Sequence, residues 1–166
     1  MAGLLVQINR SNGGLPKLPV SGPVLLEPLG IEGDRHRNLK YHGGPDKAVL
    51  MIAAEFLRDV AQKGFPVVAG SLGENFTVTG FDPRLWRSGQ QYRIGEDAVI
   101  ELTELRTPCA NLHVYGVPVK AEMYDARCKA GDVTSPRWGN GGFYARVLRG
   151  GLVMAGAPVT LLSDVA

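Results

Sequence analysis

Two cysteines and three histidines in 166 residues are too few for a disulfide-built scaffold or a histidine-rich metal centre. A net charge of +2 gives no electrostatic basis for general nucleic-acid binding. The longest apolar run, AVLMIAA from Ala48 to Ala54, falls far short of the roughly 20 residues a spanning helix needs. The N-terminal MAGLLVQINR has no basic region ahead of its short apolar stretch, as a secretory signal would. A cytoplasmic protein with no membrane or nucleic-acid partner is expected, its cysteines reduced. Whether Cys109 and Cys128 meet is not given by their spacing. Repeats, low-complexity segments, Walker loops, dinucleotide fingerprints and a G-x-S-x-G frame are all missing.

What is plentiful is glycine and proline, 22 and 11 residues, which suits many turns between short strands. Strands are expected at Gly3–Asn9, Val24–Gly30, Ala48–Ile52 and Phe76–Thr79. A hairpin around Gly95 and Glu96 joins QYRI to DAVIELTEL, where Ala98, Ile100 and Leu102 alternate with Val99, Glu101 and Thr103. Three more strands close the chain in GFYARVLRG, GLVMAG and PVTLLS. The clearest helix is AAEFLRDVAQKG, with Ala53, Phe56, Leu57, Val60 and Ala61 at helical spacing and Gly64 as its stop. A weaker helix is expected over Val119–Lys129. About eight or nine strands with few helices point to a mainly β fold, a barrel or strongly curved sheet with helices in its connections. No shift in composition divides residues 1–166 into two domains.

Three clusters carry the chemistry-bearing side chains. In ELRTPCANLHVYG, Glu104 to Gly116, Thr107 reads as an N-cap and Pro108 as the first helical residue, which makes Cys109 the second. A thiol there sits on free backbone N–H groups with Arg106 three residues upstream, and thiolate character follows. The alternative is that Cys109 packs as a small hydrophobe. Zinc is poorly served: Cys109 and His113 are four residues apart, but paired-cysteine spacing is missing. The loop GDRHRNLKYHGGPDK gathers Asp34, Arg35, His36, Arg37, Lys40, His42, Asp46 and Lys47 around two glycines. It suits an anion such as phosphate, or is a solvated surface loop. In GSLGENF, Asn75 either caps a turn or contacts a ligand.

The order of these clusters, EGDRHRNLKYHGGPDKAV, GSLGENFTVTG, RIGEDAVIELTELRTPCANL and GGFYARVLRGGLVMAG, resembles the MOSC family, named for the C-terminal part of molybdenum-cofactor sulfurases. The resemblance covers most of the chain from Ile31 to Leu162. It implies a single MOSC domain over 1–166, a β-barrel, and binding of the molybdenum cofactor, a pterin dithiolene with an anionic tail. It further implies Cys109 as catalytic residue and molybdenum ligand. Arg35, His42, Lys47 and Arg106 then hold phosphate and pterin, Asn75 reads the pterin edge, and Lys17 is a further phosphate contact. Two activities follow from the family: reduction of small N-hydroxylated compounds with electrons from a redox protein, or a non-redox role as cofactor carrier or sulfur relay. The second uses a Cys109 persulfide and a cysteine desulfurase as partner.

Overall fold

The computed structural model describes residues 2–35 and 43–165. Within them the chain forms eleven strands: β1 Ala2–Arg10, β2 Leu18–Pro19, β3 Val24–Glu27, β4 Gly30–Ile31, β5 Val49–Ala53, β6 Phe76–Thr79, β7 Gln91–Ile94, β8 Ala98–Leu105, β9 Phe143–Arg149, β10 Gly151–Val153 and β11 Pro158–Ser163. Three short α-helices join them: α1 Ala54–Gln62, α2 Val119–Met123 and α3 Ala126–Lys129.

The strands run in the order β11-β7-β8-β9-β5-β6-β1, and β11 pairs back onto β1. That pairing closes a seven-strand barrel and leaves no open edge among its members. Neighbours are antiparallel except β5 and β6, which are parallel and therefore need a crossover; α1 and the loop after it supply one. β2 extends β1 beyond the barrel, and β3, β4 and β10 form a separate three-stranded sheet.

Side-chain alternation decides what fills the barrel. Ala98, Ile100 and Leu102 point inward with Leu5, Ile8, Phe76, Val78, Ile94 and Phe143, all essentially inaccessible to solvent. Each large aliphatic or aromatic side chain so buried contributes roughly 1.5–3 kcal/mol. β5 is buried on both faces, which explains its unbroken apolar run. Val49 and Met51 enter the barrel, while Leu50 and Ile52 join a second core outside it with Phe56, Leu57, Val60, Leu112, Met123 and Tyr144. This outer core seats α1 and α2 against the barrel wall, and the functional cavity opens beside it.

The structure corrects three local expectations. Val24–Gly30 is a hairpin of β3 and β4 rather than one strand, because Pro28 and Leu29 turn the chain. The helix expected over Val119–Lys129 is two helices: Tyr124 is extended at φ −161°, and the Asp125 carboxylate caps the second by accepting from Cys128 N at 2.8 Å. Ala61, expected on the buried face of α1, is exposed; Phe56, Leu57 and Val60 carry that face. No described helix is long and apolar enough to cross a membrane.

Candidate functional site

Strand β8 ends at Leu105, and the residues after it pass along a cavity of about 660 Å3, a volume typical of small-molecule sites. Its floor is the outer face of three neighbouring strands. Tyr144 on β9 lies opposite Leu50 on β5 on one side and Glu104 on β8 on the other, and all three line the cavity. Arg106, Thr107, Pro108, Cys109 and Asn111 form one wall.

Arg106 is almost wholly buried, which for an arginine requires partners. Its backbone N–H donates to Gly142 O at 2.9 Å, and its guanidinium donates to Leu72 O at 2.7 Å. Gly142 must be glycine: its φ is +90°, and a Cβ there would lie 2.6 Å from Met51 O. Lys47, at the end of the short 3₁₀ turn Pro45–Lys47, also lines the cavity. Its ammonium pairs with Glu104 at 3.1 Å and stands 5.1 Å from the centroid of the Tyr144 ring. Arg35 is exposed at the cavity edge, its backbone N–H tied to Ser11 O at 2.9 Å.

Cys109 lines the cavity and is partly exposed, as a reactive or ligating thiol must be. Its local setting differs from the expected one. Cys109 is extended (φ −102°, ψ 171°) and is itself the N-cap of a 3₁₀-helix over Ala110–Tyr115, not the second residue of an α-helix begun by Thr107 and Pro108. Pro108 brings no N–H to a first turn, and the first turn closes only where Leu112 N donates to Cys109 O at 3.3 Å. Six residues of 3₁₀-helix align few peptide dipoles, so the helix-end argument for this thiol loses its basis. Cys128 is buried away from solvent beside Ser135, and the two cysteines are not bridged.

Lys17 and Asn75 are both brought to the cavity wall, but their polar ends turn to a residue given no role from sequence. The Lys17 ammonium sits 2.7 Å from both carboxylate oxygens of Asp34. Asn75 Nδ2 donates to Asp34 Oδ2 at 2.8 Å and to Asn9 O at 3.2 Å, while its Oδ1 accepts from Leu50 N at 3.1 Å. Asp34 also accepts from Ser11 N at 2.9 Å. This knot ties the loop after β1, the segment after β4 and the entrance to β6 into one wall. Its members lie 17 and 41 residues apart, so no local pattern announces it. His42, the remaining expected contact, lies outside the described residues, as do His36, Arg37 and Lys40.

Two further groups escaped sequence reasoning. Tyr144 stood only as a barrel residue in GGFYARVLRGG, and burial pushes its phenol above the ordinary value, an effect that the nearby charges of Arg106 and Lys47 partly offset. Glu74 is fully buried behind the wall, its Oε1 accepting from Gly70 N and Thr77 Oγ1 while Oε2 has no hydrogen-bond partner among the described residues; burial raises its carboxyl, and Arg106 opposes the rise.

The donor set defines the ligand chemistry. Among the described residues no three His, Cys, Asp or Glu side chains gather to hold a metal ion. A metal at this cavity would receive one protein sulfur and bring its remaining ligands with it. Arg35, Lys47 and Arg106 line the same cavity, and their positive charge would suit an anionic portion of such a ligand.

Known proteins share this architecture. The chain is 35% identical over 154 residues to YflK of Bacillus subtilis and 30% identical over 157 residues to YiiM of Escherichia coli. These matches take in 90% and 92% of the chain but 63% and 65% of the relatives, so the chain spans less than two thirds of their length. A protein of Gibberella moniliformis named reductase is 28% identical over 145 residues, 85% of this chain and 24% of that protein. The crystal structure of YiiM from Geobacillus stearothermophilus superposes with a TM-score of 0.71 at 27% identity, covering 97% of this chain and 75% of that one. The MOSC domain profile matches residues 38–160, from just after Arg35 to within β11, and the chain belongs to the MOSC domain family.

Proposed function

We propose that the chain, acting as one MOSC domain over residues 1–166, binds the molybdenum cofactor in this cavity and reduces small N-hydroxylated compounds. The observation that carries the reading is the lone thiol of Cys109 on the wall of a cavity also lined by Arg35, Lys47 and Arg106. MOSC domains are generally associated with this cofactor, and the fungal relative bears the name reductase. The residues fit the group: one soft sulfur suits a metal that already carries dithiolene sulfurs, and three cations suit its anionic tail.

In this reading Cys109 is the protein's ligand to molybdenum. Arg35, Lys47 and Arg106 hold phosphate and pterin, with His42 as a further contact. Asn75 and Lys17 line the wall and, through Asp34, fix its shape. When bound, the cofactor supplies a metal able to pass two electrons to a substrate. The polypeptide supplies orientation, positive charge and a half-enclosed cavity that limits water. The electrons come from a partner redox protein.

The test is molybdenum content and oxidised-pterin fluorescence of protein purified without air from a cofactor-producing host, beside Cys109→Ala. Metal in the wild type, lost in the variant, together with turnover of benzamidoxime by reduced methyl viologen, is the expected result. Wild-type protein without metal or pterin removes the reading. A Cys109 persulfide without turnover would move the assignment to sulfur relay.

A further inference from the structure

Glu74 is 0% exposed, and an acid buried so completely normally has a counter-charge or a full set of hydrogen bonds. Here the hydrogen bonds are one-sided. Oε1 accepts from Gly70 N at 2.6 Å and from Thr77 Oγ1 at 3.1 Å, and Oε2 has no hydrogen-bond partner among the described residues. The side chains behind Oε1 form a chain that runs in one direction. Gln7 Nε2 donates to Asn9 Oδ1 at 2.6 Å, Asn9 Nδ2 donates to Thr77 Oγ1 at 3.2 Å, and Thr77 donates to Glu74. Each donor turns its positive end towards the carboxyl and favours the charged form, while burial opposes it.

The charge that answers Glu74 is on the cavity side. Arg106 lines the cavity, and its guanidinium donates to Leu72 O at 2.7 Å and to Gly141 O at 3.5 Å, both uncharged acceptors. The bond to Leu72 O sets Arg106 against the turn that carries Glu74 two residues later, and a Cβ built on Gly73 would stand 4.0 Å from its Nη2. From there Arg106 opposes the effect of burial on the carboxyl. Among the described residues the other titratable group facing Glu74 is Tyr115, on the 3₁₀-helix; burial first, and Glu74 with it, raise that phenol, so it stays neutral. Thr77 on β6 and Asn9 on β1 are neutral as well. One buried guanidinium thus faces a buried carboxyl behind the wall and a cavity in front of it.

We propose that Glu74 and an anion in the cavity compete for the single positive charge of Arg106, so that the cavity takes up its anion together with a proton on Glu74. The proposal rests on the reading that the cavity holds an anionic group beside Arg106, and it adds a regulation to that site. The step is Coulombic and needs no particular hydrogen-bond direction. An anion beside Arg106 cancels part of the field that keeps the carboxyl ionised, and burial with an unpartnered Oε2 then favours the acid. The proton comes from solvent, and the O–H bond on Glu74 is the only bond formed. By linkage the same free energy appears in reverse: protonating Glu74 strengthens anion binding, and raising the pH through its titration weakens it.

The experiment uses the full chain, free of cofactor, with sulfate as the probe, because sulfate stays a dianion across the neutral range and adds no titration of its own. Amide NMR shifts of labelled protein give the sulfate affinity at each pH and, through Arg106 and Cys109, place the anion in the cavity. The carboxyl carbon shift of Glu74, assigned through its own backbone, follows its titration with and without sulfate. Glu74 should titrate at higher pH when sulfate is bound. Wild-type affinity should fall about fivefold or more as pH rises through that titration, the lower end of a typical coupling between sites. Glu74→Gln keeps an acceptor for Gly70 N and Thr77 Oγ1 but carries no charge. It should bind sulfate at high pH as tightly as at low pH, apart from titrating groups common to both proteins. A Glu74 resonance whose titration sulfate does not move overturns the proposal, as does a pH profile that Glu74→Gln shares with wild type; both leave the anion reading standing. Sulfate that shifts no cavity amide overturns the anion reading and the proposal with it. If Glu74→Gln does not fold, the carboxyl titration of the wild type decides alone.

Discussion

Asp34→Ala tests the wall of the cavity. The Lys17 and Asp34 side chains are 8% and 2% exposed, and the ammonium lies 2.7 Å from both carboxylate oxygens. Removing the carboxylate strands a buried ammonium and leaves Asn75 Nδ2 and Ser11 N without their acceptor. A buried pair broken on one side costs about 3–5 kcal/mol. In Lys17→Met the carboxylate keeps its other two donors, and the loss should be nearer 2 kcal/mol, that of a charge-assisted hydrogen bond ~1.5–3 kcal/mol strong. The double variant Lys17→Met/Asp34→Ala removes both charges and retains only the unpaired amide and backbone N–H, about 1–3 kcal/mol. It should therefore be more stable than Asp34→Ala alone, although it carries one change more. Urea unfolding of the four proteins measures this cycle directly. Arg84→Met is the exposed control: it breaks the Asp82–Arg84 pair, 37% and 62% exposed, while leaving Asp82 to accept from the backbone N–H of residue 84, and should cost about 0–1 kcal/mol. Should Asp34→Ala cost no more than that control, Lys17 has reached solvent through the cavity, and the view of Asp34 as the lock of this wall is refuted.

Two more expectations use the groups behind the cavity. Burial raises the carboxyl of Glu74, so its folded value lies above its unfolded one and the folded state binds the extra proton. The Glu74 contribution to stability should accordingly fall as pH rises from about 4.5, and Glu74→Gln, which cannot ionise, should gain on wild type over the same range. Urea midpoints across pH check this, and a difference independent of pH would count against it. Gly142→Ala must place a Cβ 2.6 Å from Met51 O at a φ of +90°. A loss of about 1–3 kcal/mol is expected from backbone strain, with weaker cofactor retention because Gly142 O receives the Arg106 N–H; thermal melts and molybdenum content measure the two effects.

What the sequence made legible is what repeats locally. The β7–β8 hairpin, the inward set Ala98, Ile100 and Leu102, and Phe56, Leu57 and Val60 on the apolar face of α1 follow from period-two and period-3.6 patterns, and the structure has them. β6 was read to its end residues, because glycine bounds it on one side and the apolar alternation defines the rest. Short elements were less legible. The break at Tyr124 depends on Asp125 finding Cys128 N, a choice between two local hydrogen-bonding arrangements that composition alone does not decide. Barrel closure was legible only as a class, since the β11–β1 pairing joins the two ends of the chain.

For the site, residue types were easier to read than roles. Cys109, Arg106 and Lys47 do converge on one cavity, yet the reason first given for Cys109, an α-helix N-terminus, is not the one the structure supplies. The cations divide according to partners that only tertiary structure reveals. Lys17 looked like a loop lysine available to phosphate; in the fold it neutralises Asp34, and its charge is spent on the wall. Lys47 is more open, its side chain 31% exposed against 8% for Lys17, and its contact with the half-exposed Glu104 is a surface pair worth about 1 kcal/mol or less. This difference has a functional consequence. A cavity in which every lysine were buried in an ion pair would be rigid but indifferent to anions, and one in which none were paired would repel its own lining when empty. Fixing Lys17 to Asp34 gives a preformed wall, while Lys47 keeps the greater exposure to solvent.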